Sequence, residues 1–93
     1  MSGREFAETV ALQSLSWLLA DDELLPRFLA ATGADPSQLA NLAREPVFLG
    51  AVLDFLLTED SLVLGFAEAA GLAPEAVLRA RAGLPGGDVP HWT

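Results

Sequence analysis

Four carboxylates, Glu8, Asp54, Glu59 and Glu68, are the side chains in this sequence that could hand protons to and from a substrate. No spacing among them singles out a working pair. The runs Asp21-Asp22-Glu23 and Glu59-Asp60 offer clustered oxygens to a hard cation. A calcium loop, however, needs ligands at alternating positions around a central glycine, and these runs are contiguous and lead directly into helix. They read instead as helix caps, with favourable negative charge at helix starts. Ser14 and Ser16 lie mid-helix without the turn that exposes a serine nucleophile, and the chain has no Cys or Tyr and a single His, His91. Gly86-Gly87 has neither the lysine nor the strand context of a phosphate loop. The expectation is a protein that is not an enzyme, with no catalytic, cofactor-binding or metal-binding residue.

The composition sets the frame in which such groups would have to be held. Ninety-three residues make one small domain, 52% hydrophobic and 19% charged, with a mean hydropathy of +0.38. A chain of this size needs a dense core, and the absence of Cys excludes a disulfide or thiolate-metal staple. Leu and Ala supply most of the apolar content, which favours helix over sheet. The longest uncharged apolar stretches, 9–20 and 46–53, fall short of the roughly 20 residues of a membrane span. The first residues lack the basic region and continuous apolar run of a signal peptide, so a cytoplasmic protein is expected. A net charge of −8 repels phosphate backbones. Neither nucleic acid nor a membrane is therefore an expected partner.

Laid over itself at an offset of 38 residues, the chain matches from Leu15 to Leu39. Leu15, Leu18, Leu19, Asp22, Leu24, Phe28, Ala31, Gly33 and Pro36 are identical to their counterparts, which makes 9 identities in 25 positions. Trp17 lies over Phe55 and Asp21 over Glu59. The pattern predicts an all-α fold: a bundle of about six short helices from two tandem three-helix repeats, about 6–43 and 44–81, related by pseudo-symmetry. The helical domain spans 1–83 and an irregular tail follows over 84–93.

Helix punctuation supports that division. A capping-box pattern from Ser2 to Glu5 opens the first helix, which runs to about Ala20, and Pro46 opens the fourth. Asp22 and Asp60 are placed as N-caps of the second and fifth. Gly33 and Gly71 stop those helices, and Pro36 and Pro74 begin the third and sixth. The first and fourth helices are apolar around most of their circumference, the first relieved only by Thr9, Gln13 and Ser16. Such helices belong in the middle of the molecule, with the other four wrapped outside. Trp17 and Phe55 read as core anchors, and one unit alone could not bury its central helix.

Residues 7–15, 28–33, 52–57 and 66–71 resemble a domain-of-unknown-function family of small, mostly alphaproteobacterial, all-helical proteins, most specifically in Val52-Leu53-Asp54-Phe55-Leu56-Leu57. The resemblance extends to about Gly86 and carries no catalytic residues. Some members of that family are encoded beside response-regulator genes, so the resemblance hints at a signalling protein as partner; separately, the excess of apolar surface makes self-association the other expectation.

Asp54 is the one carboxylate inside the apolar run of the fourth helix, four residues after Gly50. The pair lies either on a narrow exposed stripe or in a groove where another helix approaches closely. Leu25, Leu29, Leu64 and Leu78 add apolar surface on the shorter helices, and Trp92 adds it in the tail. Together these seven residues form the expected interaction surface of a protein–protein interaction or adaptor module. The competing expectation is an acidic decoy that occupies the basic surface of a nucleic-acid-binding protein.

Overall fold

The chain turns where glycine permits it. Gly33 (φ 73°) and Gly71 (φ 71°) adopt the left-handed conformation and end helices α2 (Leu24–Thr32) and α5 (Asp60–Ala70). The computed structural model describes residues 3–86. Helix α1 (Gly3–Leu19) precedes α2. A 3₁₀ turn (Pro36–Gln38) then leads into a single α-turn, α3 (Leu39–Leu42). Helix α4 (Pro46–Leu56) precedes α5, and α6 (Glu75–Ala82) ends at Gly83. The described residues thus form six α-helices and no strand.

Of the two expected acidic caps, one sits a residue earlier and the other makes no cap bond. Asp21, not Asp22, caps α2, its Oδ1 accepting from the backbone N–H groups of Glu23 (2.9 Å) and Leu24 (3.0 Å). A turn closed by the Asp21 N–H on the Leu18 carbonyl aims that side chain at the helix start. Asp60 lies inside the first turn of α5, after Glu59, whose side chain makes no cap bond and instead pairs with Arg27. Asp35 caps the 3₁₀ turn, accepting from the Ser37 N–H and hydroxyl, both at 2.9 Å. Those bonds hold its carboxyl below its ordinary pKa. The cap is therefore fully present above the ordinary carboxylate value and fades only as pH falls below it. Ser2 lies outside the described residues.

Helix α4 is the centre of the core. Phe48, Leu49, Val52, Leu53, Phe55 and Leu56 are all buried. Helix α1 packs against α4 and α6 and buries Ala7, Val10, Ala11, Ser14, Leu15 and Leu18, and the buried Ser14 hydroxyl donates to the Val10 carbonyl of its own helix (2.8 Å). The expectation that α1 is enclosed fails on one side. Leu12 and Leu19 are exposed beside Thr9, Gln13 and Ser16, because neighbours of 4 to 11 residues cannot encircle a helix of 17. Helix α6, in turn, is less peripheral than expected. It packs on both α1 and α4 and buries Ala76, Val77 and Ala80. Its end touches the start of α1, where a side chain at Gly83 would meet the Gly3 carbonyl oxygen at 2.9 Å and the Ala7 Cβ at 3.0 Å. The core also continues past Gly83, since Leu84 is buried with it.

Ring contacts cross the middle of the chain. Phe28 on α2 meets Phe48 and Phe55 on α4 edge to face, with centroids 5.9 and 5.5 Å apart. Trp17 on α1 meets Phe66 on α5 at 5.9 Å. Every ring pair among the described residues therefore takes one ring from each side of residue 44. Phe55 is a buried anchor as expected, whereas Trp17 is half-buried.

Candidate functional site

One face of α4 is left open. Val47, Phe48, Ala51, Asp54, Phe55 and Thr58 follow one another at helical spacing along a cleft of about 560 Å³. Ala31 and Thr32 at the end of α2, Leu42 of α3 and Glu45 complete its lining. The cleft exists because α3 is a single turn, too short to cover α4. Its floor is apolar, and Val47 on its edge is 70% exposed. The hydroxyls in its lining are engaged: Thr32 donates to the Phe28 carbonyl (2.9 Å) and Thr58 to that of Phe55 (2.6 Å). A smaller cleft of about 250 Å³ lies between α1 and α5, lined by Gln13, Ser16 and Trp17 on one side and Phe66, Ala69 and Ala70 on the other.

Asp54 stands on the wall of the larger cleft, held by Arg81 of α6. The Arg81 Nε and Nη2 groups donate to Asp54 Oδ1 (2.6 Å) and Oδ2 (3.2 Å), and Nη1 donates to the Pro85 carbonyl (2.9 Å). The guanidinium lies flat over Gly50, where any Cβ would come within 3.0 Å of Nη1. Gly50 is therefore a point of close approach, as one of the two readings held, but the approaching group is the chain's own arginine. The Arg81 side chain is 15% exposed and that of Asp54 is 58% exposed, so the arginine carries the larger share of the joint. Arg81→Ala is expected to cost about 1–2 kcal/mol and Asp54→Ala less than about 1 kcal/mol, read from urea midpoints. Equal losses would show that the Pro85 bond contributes nothing.

A family model described as a protein of unknown function (DUF3572) matches residues 4–87, nearly the whole chain. The chain belongs to the DUF3572 family. No curated protein and no solved structure matches it.

In this DUF3572 member, three of the four carboxylates that could act as acid or base are paired with arginine: Glu8 with Arg4 (2.9 Å), Asp54 with Arg81, and Glu59 with Arg27. Glu68 is exposed on α5. Among the described residues, no three of His, Cys, Asp and Glu gather where they could hold a metal ion. No single described helix is long and apolar enough to cross a membrane.

The residues expected to form one interaction surface are dispersed. Gly50 is buried beneath Arg81, and Leu25 and Leu29 are half-buried, Leu29 against the core. Leu64 and Leu78 are 55% and 62% exposed but line neither cleft. Trp92, with His91, lies outside the described residues. Of the six that are described, only Asp54 stands on the cleft; Val47, Phe48 and Ala51 of its apolar lining carry no distinguishing mark in the sequence, and Phe55 reads there only as a core anchor.

Proposed function

We propose that this DUF3572 member is a non-enzymatic, cytoplasmic bacterial interaction module that holds a protein partner in the cleft along α4. The observation that carries this reading is the open apolar stripe of α4, which the short α3 leaves uncovered. A concave cleft with an apolar floor lets a partner bury its own apolar side chains away from water. Ala51 lies half-buried in its floor, so Ala51→Arg blocks the cleft without cutting into the core. In affinity capture from a native extract, the wild-type chain is expected to retain partners that Ala51→Arg loses while both melt alike. Identical captures overturn the reading. An arginine at Asp54 would instead face the Arg81 guanidinium and disturb the fold along with the cleft. The decoy reading has a separate signature: partners that salt alone releases and that Ala51→Arg leaves in place.

We also infer that the chain is a duplication folded as a pseudo-dimer. Trp17 corresponds to Phe55, Phe28 to Phe66 and Arg27 to Gly65 at the 38-residue offset. Trp17 lies against Phe66 and Gly65, while Phe55 lies against Phe28 and beneath Arg27. These contacts support a two-fold relation, in which i meets j and j meets i. The clefts correspond too. Gln13, Ser16, Trp17, Ala69 and Ala70 of the smaller stand opposite Ala51, Asp54, Phe55, Thr32 and Ala31 of the larger, Ala69 matching Ala31 and Ala70 matching Thr32.

A further inference from the structure

We propose that the occupant of the larger cleft is a cationic amphipathic helix of about three turns from another protein; this rests on the reading of the cleft as a docking site. Three observations select it. The first is spacing. Val47, Ala51 and Asp54 of α4 stand at i, i+4 and i+7, Phe48 and Phe55 run beside them seven residues apart, and Thr58 lies just past the helix end. The stripe is about 16 Å long, the length of about 11 residues of helix. A complementary occupant lays its own apolar positions along it at the same helical period.

The second is the state of the polar groups. The Thr32 and Thr58 hydroxyls are committed to carbonyls of their own segments, and Arg81 is committed to Asp54 and Pro85. The cleft has no sheet edge, so an extended peptide would bury backbone groups without partners. A helix satisfies its own backbone and needs only side-chain contact.

The third is charge. The carboxylates at the cleft are Glu45 and Asp54, on a chain of net charge −8. Glu45 is exposed and makes no ion pair among the described residues, and Asp54 keeps more than half of its side chain in solvent despite Arg81. Lysine or arginine at the edges of the occupant's apolar stripe would meet both. The smaller cleft has Gln13 and Ser16 where the larger has Ala51 and Asp54, and it contains no carboxylate. The charge preference therefore belongs to one cleft only.

The probes are three synthetic helical peptides of about 14 residues. One carries leucine at helical spacing flanked by lysine, the second replaces its lysines with glutamate, and the third replaces its leucines with serine. Backbone amide shift mapping on the full chain is expected to place the leucine–lysine peptide on Val47, Phe48, Ala51 and Phe55. Its affinity should exceed that of each other peptide by about tenfold or more. Ala51→Arg, and independently the neutral surface change Glu45→Gln, should each weaken it by about threefold or more with the melt unchanged. Equal binding of the glutamate peptide at these residues overturns the cationic preference and leaves the docking reading standing. Equal binding of the serine peptide shows charge alone at work and overturns the helix. Failure of all three to reach the cleft also overturns the proposal, whereas failure of the broader reading shows separately, in captures that Ala51→Arg does not change.

Discussion

Phe28→Ala is expected to lower the folding free energy by about 3–5 kcal/mol, the range for emptying a fully buried aromatic site. Phe28 has no exposed surface and is the ring against which both Phe48 and Phe55 stand edge to face. Its removal therefore forfeits the transfer energy of one ring and two ring contacts of about 0.5–1.5 kcal/mol each, and it leaves a void between α2 and α4. A domain of this size has a total stability of about 5–14 kcal/mol, so the variant should be largely unfolded by mild denaturant. Leu29→Ala, one residue along the same helix but half-buried, should cost less than half as much. Urea titration followed by circular dichroism measures both. A loss below about 1.5 kcal/mol at Phe28 would mean that the α2–α4 contact is not part of the core.

The second large effect comes from cutting the chain. A fragment ending at Arg44 is expected to show no cooperative thermal transition. It would keep α1, α2 and α3 but lose α4 and α6, against which α1 packs, and α5, which brings Phe66 to Trp17. All the ring pairs described, the Arg27–Glu59 ion pair and the stacking of Arg79 over Phe6 join opposite sides of the cut. The fragment retains helical propensity but has nothing to bury its apolar faces against. A sharp melt from the fragment would show that the first 44 residues fold as an independent unit.

Much of the helical order was legible because its signals are local. Pro46 and the two left-handed glycines mark ends in the sequence, and the apolar run after Pro46 identifies the central helix before any packing is known. The cap of α2 was misplaced by one residue because Asp21-Asp22-Glu23 offers adjacent carboxylates of similar chemistry. Which of them reaches the free N–H groups depends on the turn that precedes them. The role of Gly50 and Asp54 was only half legible: the sequence marks an anomaly on an apolar helix, but the partner is 27 residues away from Asp54. The cleft floor was missed for a further reason. A helix apolar on every side does not say which face will stay uncovered, and that depends on α3 ending after one turn. Val47, Ala51 and Asp54 share one helical face, and only the four residues of α3 set beside the eleven of α4 mark that face as the open one.

The contact of Gly83 with Gly3 and Ala7 bears on the topology of the polypeptide. With the end of the last helix seated on the beginning of the first, the path of the backbone is nearly a closed loop. The order in which the helices are threaded is then a matter of where that loop is opened. A short bridge from the end of α6 to the start of α1, with new ends between α3 and α4, would keep every helix-to-helix packing while making the second half of the chain the first to be synthesised.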